Sequence, residues 1–241
     1  TMKSIILSLF VVTFFLVSCV EDKPIETLIF SGNVENTEAD SLVITDSFND
    51  NVAIIYFDSH KSFSDTLVVR EGMYWMAIGE EQTKVYLKSG MNLQMTVNAT
   101  EFDETIHFKG DGAIENNYLT SKALLEEGYG KLRSYRYYGA LEEVDFLQLT
   151  DSLHKVNLDL LFSFKDSLDK EFYHLESESL EYDKRYKISD YEGMHQWVTE
   201  SPDFVVSSSF PKPFKKIDKS NEDLLKSSSY TSFLNAYVRS K

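Results

Sequence analysis

The chain has 241 residues, of which 42% are hydrophobic and 14% aromatic, and its formal net charge at pH 7 is -15. This apolar content favours a folded protein over a disordered one, and the length suits one large domain or two small ones. Because so acidic a surface repels phosphate backbones, the composition argues against nucleic-acid binding.

The first nineteen residues have the layout of a secretory signal. A basic residue, Lys3, precedes a largely apolar run at residues 5–17. As a helix this run would span about 20 Å, which is short for a hydrocarbon core of about 30 Å. The next residues resemble the bacterial lipobox, in which a small residue precedes the cysteine that receives the diacylglycerol. These lipobox positions are Leu16, Val17, Ser18 and Cys19.

We therefore predict a signal peptide at residues 1–18, lipidation of Cys19 and a polar tether at residues 19–27. Lipidation would anchor the chain in the envelope of a Gram-negative bacterium, and we expect the outer membrane, on its periplasmic face or at the cell surface. Glu21 and Asp22 in the tether resemble a surface-export signal of Bacteroidota lipoproteins, although a plain solvated linker fits them equally well. The alternative for Cys19 itself, a stray or buried cysteine, explains less of the pattern.

Residues 28–110 are predicted to form an antiparallel β-sandwich. Short apolar runs alternate there with turn residues, which is typical of antiparallel β structure. The clearest run has Leu93, Met95 and Val97 alternating with polar residues, as in a half-buried strand. Eight runs are enough for two packed sheets. The candidate strands are residues 28–30, 41–45, 52–57, 66–69, 73–78, 84–87, 93–97 and 105–108.

After residue 110 the apolar period changes from about two to about three and a half, which indicates helices. We expect an all-helical segment at residues 111–241, so that the fold class is α+β, an N-terminal antiparallel β-sandwich followed by an all-helical segment. Ser220 and Asp223 are the expected N-cap pair of the last helix. The predicted helices begin near Ala113, carry apolar positions from Val144 to Leu175, cover residues 181–198, and carry apolar positions from Tyr230 to Val238.

The sequence contains no pattern that predicts catalysis, a metal site or a cofactor. The five histidines lack the helical spacing of a metal-binding pair, and carboxylate pairs arise by chance among 39 acidic residues. Residues 46–51 hold several oxygen ligands but lack the glycine and glutamate of a calcium loop, so a hairpin turn is favoured. Because Cys19 is the single cysteine, the chain has no disulfide and no CxxC pair. A hydrolase built on scattered carboxylates is the weakest alternative.

One basic and aromatic patch is a candidate contact surface for a ligand or protein partner. The alternative is that its rings cover the seam between the sandwich and the helices. The patch residues are Tyr129, Arg133, Tyr135, Arg136, Tyr137 and Tyr138.

Two stretches, residues 85–93 (VYLKSGMNL) and 108–119 (FKGDGAIENNYL), are similar to the N-terminal region of TlpA-like thioredoxin-family lipoproteins of the Bacteroidota. Residues 217–234 are similar to the helices that precede the thioredoxin domain in that family. The order and spacing of these stretches carry the resemblance, which covers essentially the whole chain after Cys19.

The resemblance implies an anchoring and client-presenting region that a thioredoxin domain with a CxxC pair would follow. A thiol oxidoreductase needs two thiolates, one to attack and one to resolve the mixed disulfide, so no catalytic residue of the family carries over. We expect this chain to be non-enzymatic, with a membrane, protein clients or a thioredoxin domain in cis as its partners. The alternative is a stand-alone surface or periplasmic lipoprotein that binds a ligand or protein partner.

Overall fold

The computed structural model describes residues 27–217 and 220–241. Within these residues, eight strands form two four-stranded sheets, and helices make up most of the chain after the last strand. The predicted α+β class, with N-terminal sheets and then a helical segment, is confirmed. The strands are β1 (Leu28–Glu35), β2 (Ser41–Thr45), β3 (Asn51–Tyr56), β4 (Ser62–Leu67), β5 (Gly72–Ile78), β6 (Glu81–Leu87), β7 (Asn92–Asn98) and β8 (His107–Gly110).

The two sheets have the strand orders β4-β1-β7-β8 and β3-β2-β5-β6. All neighbouring pairs are antiparallel except β1 and β7, which are parallel, with Ile29 opposite Asn92. The sandwich is therefore antiparallel in most pairs and not in all. A parallel pair needs a long connection, and the connection here contains all four strands of the other sheet together with β4.

The apolar sides of the sheets face one another and form the first core. Phe30 and Phe63 meet edge to face with ring centroids 5.1 Å apart, and burial of such a side chain contributes about 1.5–3 kcal/mol. Gly32 lies on β1, and a Cβ at this position would overlap the carbonyl oxygen of Met95 on β7 and the ring of Phe63. Glycine at this position therefore allows β1 and β7 to pack beside that ring.

The helices are α1 (Phe102–Thr105), α2 (Ala113–Glu127), α3 (Tyr135–Ala140), α4 (Glu143–Ser163), α5 (Lys170–Val198) and α6 (Ser228–Arg239). The expected start of a helix at Ala113 is correct. The expected helix across residues 144–175 is wrong, because a turn separates α4 from α5. The Asp169 side chain begins α5 by accepting hydrogen bonds from the backbone N–H groups of Glu171 and Phe172, which are donors that a helix start leaves unpaired.

The last helix is also capped at a different residue from the one expected. Asn221, and not Ser220, caps a short 3-10 helix at Glu222–Lys226. The hydroxyl of Ser227 then caps α6 by accepting from the backbone N–H of Tyr230. The segment predicted to start one helix therefore contains two helix starts, one of the short 3-10 helix and one of α6.

Helix α2 covers one edge of each sheet, at β6 and β8, through two consecutive asparagines. The side-chain amide of Asn116 pairs with the backbone N–H and carbonyl of Tyr86 on β6, both at 2.9 Å. The amide of Asn117 pairs in the same way with Phe108 on β8, at 2.9 and 3.0 Å. Edge strands carry unpaired backbone groups, and each amide satisfies one donor and one acceptor of its strand.

The residues on either side of this pair attach α2 to α5. Glu115 accepts a hydrogen bond from the backbone N–H of Asp169 at 2.9 Å, and the Tyr118 hydroxyl donates to Glu176 at 3.0 Å. Glu115 and Tyr118 are buried. We call residues 115–118 the edge-capping segment, because its four side chains connect both sheets to the longest helix.

A second connection between the sandwich and the helices centres on Glu71, in the loop before β5. Its carboxylate accepts a hydrogen bond from the Tyr86 hydroxyl and lies 3.5 Å from the ammonium groups of both Lys88 and Lys226. Burial acts to raise the pKa of Glu71, but the Tyr86 hydrogen bond and the two lysine charges outweigh it, so the pKa is lowered. The ionised carboxylate therefore holds the sandwich against the segment that precedes α6.

Replacing Asn116 with alanine is expected to lower the free energy of unfolding by about 2–4 kcal/mol, because it leaves the N–H and carbonyl of Tyr86 without their partners. Urea denaturation measures the change. Asn92→Ala, at an exposed strand position, is the matched control and should change stability by less than about 0.5 kcal/mol. Equal effects of the two substitutions would contradict the edge-capping role.

Candidate functional site

A cleft of about 410 Å³ lies where the outer face of β5 and β6 meets α2 and α5. Trp75 and Lys84 face each other across the β5–β6 pair, and both side chains are half-buried on the outer face of the sheet. Helix α2 contributes Lys122, while α5 contributes Asp183 and Lys187. We call this the charged cleft, because three lysines from three different elements line it.

The first of the three lysines, Lys122, forms a buried ion pair. The Lys122 ammonium lies 2.5 Å from a carboxylate oxygen of Glu176, and the two side chains are only 13% and 3% exposed. The same oxygen of Glu176 accepts the Tyr118 hydroxyl of the edge-capping segment. Burial acts to lower the pKa of Lys122, but the charges of Glu176 and Glu126 outweigh it and the pKa is raised. Lys122 is therefore protonated, and its ammonium is already paired with Glu176.

The second lysine is paired within α5. The Lys187 ammonium donates to Asp183 at 2.7 Å, one helical turn away. Burial acts to raise the pKa of Asp183, but the charge and hydrogen bond of Lys187 and the charges of Lys84 and Lys122 outweigh it, so the pKa is lowered. This carboxylate is thus held in its ionised form.

The third lysine, Lys84, differs from the other two. Its ammonium lies over the Trp75 ring, 5.2 Å from the centroid. Across residues 27–217 and 220–241 it has no carboxylate oxygen within 4.0 Å and no hydrogen bond. Burial and the nearby positive charge of Lys122 lower its pKa. The charges of Glu176, Asp183 and Glu126 act to raise this pKa but do not outweigh the lowering. The protonated form of Lys84 is therefore disfavoured, and within the described residues it has no carboxylate in direct contact.

The residues of the sequence-derived patch divide into buried and exposed groups. Tyr138 is buried and meets Phe146 edge to face, with ring centroids 5.7 Å apart. Tyr129 packs partly buried in the same cluster of helical side chains. Tyr138 therefore fills the space between helices, whereas Tyr129 keeps part of its side chain exposed. Arg133 ends a short 3-10 helix, and its side chain lies outside the described part of the molecule.

Two exposed residues of that patch, Tyr135 and Arg136, contact a tryptophan that the sequence analysis missed. Trp197, at the end of α5, is 59% exposed. Its ring centroid lies 5.6 Å from that of Tyr135 and 5.4 Å from the guanidinium carbon of Arg136. Tyr135 and Tyr137 are also exposed, at 47% and 40%. We call Tyr135, Arg136, Tyr137 and Trp197 the aromatic patch.

The aromatic patch lies at the far end of α5 from the sandwich. The first turn of α5 contacts β6 and the loop after it, where Glu171 lies 3.6 Å from Lys88. The 26 residues from Glu171 to Trp197 span about 39 Å at 1.5 Å per residue. Near Lys88, the backbone N–H of Gly90 donates to the carbonyl of Thr27, the first described residue. The start of the described chain and the aromatic patch are thus at opposite ends of α5.

The remaining predicted site residues, Leu16, Val17, Ser18 and Cys19, lie outside the described residues. Asp46, from the loop of oxygen ligands, accepts hydrogen bonds from the backbone N–H groups of Phe48 and Asp50, as in a turn between β2 and β3. No helix within residues 27–217 and 220–241 is both long and apolar enough to cross a membrane.

Comparison with known proteins adds no assignment to this geometry. No protein-family model matches the chain, and no curated protein matches it significantly.

Replacing Lys122 with methionine is expected to lower the free energy of unfolding by about 3–5 kcal/mol, because Glu176 then stays buried without its cation. The double variant K122M/E176Q should lose less than the sum of the single variants, as coupled partners do. Lys155→Met is the control: its ammonium pairs with Asp159 at 2.6 Å, but both side chains are mostly exposed, so the loss should stay within about 0.5 kcal/mol. Urea denaturation that gave K122M and K155M similar losses would refute the buried pair.

Proposed function

We propose that this chain is the non-catalytic, lipid-anchored part of a bacterial envelope protein, and that it contacts a protein partner through the aromatic patch. The observation that carries this proposal is the exposed group of Tyr135, Arg136, Tyr137 and Trp197. It lies at the opposite end of α5 from the first described residue.

The composition of the patch supports protein binding. Tryptophan, tyrosine and arginine dominate the binding energy of most protein interfaces, because they bury a large area at a low cost in conformational entropy. Arg136 stacks on Trp197, and Tyr135 meets the same ring edge to face. These contacts hold the side chains in place before a partner arrives, which lowers the entropy that binding must overcome.

The local charge favours a partner with an acidic surface. Residues 128–140 contain Lys131, Arg133 and Arg136 and no acidic residue, in a chain whose net charge is -15. Opposite charges steer two proteins into contact and disfavour wrong partners. A partner that presents carboxylates next to an aromatic or apolar surface fits this part of the chain.

Anchoring through Cys19 would set how far the aromatic patch lies from the membrane. Fully extended, the nine residues 19–27 reach about 30 Å from the lipid, and α5 adds about 39 Å between the sandwich and the patch. The patch could then contact proteins well above the headgroups. We propose the outer membrane as the location, on its periplasmic face or at the cell surface.

The resemblance to TlpA-like lipoproteins supports a specific form of this proposal. In that form the chain anchors a thioredoxin domain and presents its clients, and the partner is that domain or a client. In the alternative form the chain is a stand-alone lipoprotein that binds a separate ligand or protein. Both forms give this chain a binding role without a redox step, since the single cysteine is assigned to the lipid.

Photo-cross-linking in intact cells of the source bacterium tests the binding role. With Tyr137 replaced by benzoylphenylalanine, illumination should join the chain to one defined partner. Trp197→Ala in the same protein should reduce the adduct about tenfold or more, as loss of a central interface aromatic does. A cross-link within the same chain would identify a partner domain in cis, and a heavier adduct would identify a separate protein.

The control position is Phe162, an exposed aromatic residue near the end of α4 (66% exposed). Benzoylphenylalanine at this position should give no adduct with the same partner. Equal cross-linking from both positions, or an adduct from position 137 that is insensitive to Trp197→Ala, would refute the role of the aromatic patch.

The anchor is tested by replacing Cys19 with serine. Wild-type protein should partition into the detergent phase, because two or more acyl chains hold a protein firmly to membranes. The serine variant should stay in the aqueous phase. Partition of the variant into detergent would show that the apolar run at residues 5–17 remains as the anchor, and that lipidation is not what holds the chain.

A further inference from the structure

We propose that the charged cleft is a binding site for a small organic monocarboxylate with a planar apolar body. The carboxylate of this ligand pairs with the ammonium of Lys84, and its apolar body lies against Trp75. This site is independent of the aromatic patch, and no residue is common to the two.

The pairing of charges in the cleft identifies Lys84 as the ligand's partner. Lys122 is bound to Glu176 and Lys187 to Asp183, while Glu126 accepts a hydrogen bond from Asn157 at 3.3 Å. The Lys84 ammonium is the cation of the cleft whose acceptor the described residues do not provide. An incoming carboxylate supplies it without breaking an existing pair.

The energetics of Lys84 favour an anion at this point. Burial and the charge of Lys122 already disfavour its protonated form, because a cation removed from water costs free energy unless it is paired. A carboxylate in contact with the ammonium offsets the free-energy cost of removing the cation from water. The interaction is charge-assisted and lies in a recess with less water than the open surface, so it is stronger than a surface ion pair.

The acidic residues around the cleft limit the charge of the ligand. Asp103, Glu126, Glu127 and Asp183 all line it, and they repel a dianion about twice as strongly as a monoanion. A phosphate ester or other dianion is therefore disfavoured relative to a carboxylate. The walls also include the Leu119 side chain and the Trp75 ring, which suit an apolar and planar ligand body.

The size of the cleft agrees with a small molecule. Its volume of about 410 Å³ lies within the range of about 300–1,000 Å³ that is typical of small-molecule sites. The walls come from the sandwich and from helices α1, α2, α5 and α6, so the site exists only where the sandwich packs on the helices. Such junctions are common positions for ligand pockets.

Tryptophan fluorescence measures binding directly, because the chain has only two tryptophans, Trp75 and Trp197. In a Trp197→Phe variant, Trp75 is the sole tryptophan and reports on the cleft. We expect benzoate to change its emission in a saturable manner. The uncharged isostere benzamide should bind at least about tenfold more weakly than benzoate, because it loses the charge-assisted bond. The dianion phenyl phosphate should also bind at least about tenfold more weakly, because the surrounding carboxylates repel it more strongly.

Substitutions of Lys84 in the Trp197→Phe background complete the test. Lys84→Met should weaken benzoate binding by about tenfold or more, whereas Lys84→Arg should keep it within a few-fold. Lys155→Met, on an exposed face of α4, should leave it unchanged. Circular dichroism checks the fold of each variant, and the comparison of benzoate with benzamide needs no substitution at Lys84.

Three results would each overturn the proposal. One is the absence of a saturable change with benzoate, and another is equal binding of benzoate and benzamide, which would indicate an apolar recess without a role for charge. The third is tighter binding of phenyl phosphate than of benzoate. None of these results bears on the aromatic patch, so the two proposals fail separately.

Discussion

The arrangement of the whole molecule depends on the hydrogen bonds that the edge-capping segment makes with two strand edges. Asn116 and Asn117 satisfy backbone groups of β6 and β8 that would otherwise be exposed at the end of the sandwich. Glu115 and Tyr118 extend the same segment to α5. Because each amide matches one donor and one acceptor of a fixed backbone, these contacts set both the position and the orientation of α2.

The two candidate surfaces depend on this constraint in different ways. The charged cleft exists because α2 stands between β6 and α5, which gathers Lys84, Lys122 and Lys187 from three elements. The aromatic patch depends instead on the length of α5, which carries Trp197 far from the sandwich. Gly139 allows α3 to reach α5 there, since a Cβ at this position would lie 2.5 Å from Val198. A ligand in the cleft and a partner on the patch could therefore be bound at the same time.

Much of the fold could be predicted because local patterns encode it. The alternation of Leu93, Met95 and Val97 indicated a strand, and the change of apolar period after residue 110 indicated the start of α2. The break between α4 and α5 could not be found in this way, because the apolar spacing runs on through it. Asp169 caps the start of α5, and its backbone N–H donates a hydrogen bond to Glu115, 54 residues away.

The sites were less accessible than the fold, since contacts between distant residues decide them. The sequence alone determined the predicted lipidation residue Cys19, the acidic composition, the two secondary-structure periods and the presence of a basic aromatic stretch. Only the tertiary structure decided that Tyr138 is buried while Tyr135 is exposed beside Trp197. It also decided that no described carboxylate pairs with Lys84 as Glu176 pairs with Lys122. Local periodicity depends on neighbouring residues, but burial and charge pairing depend on which distant elements pack together.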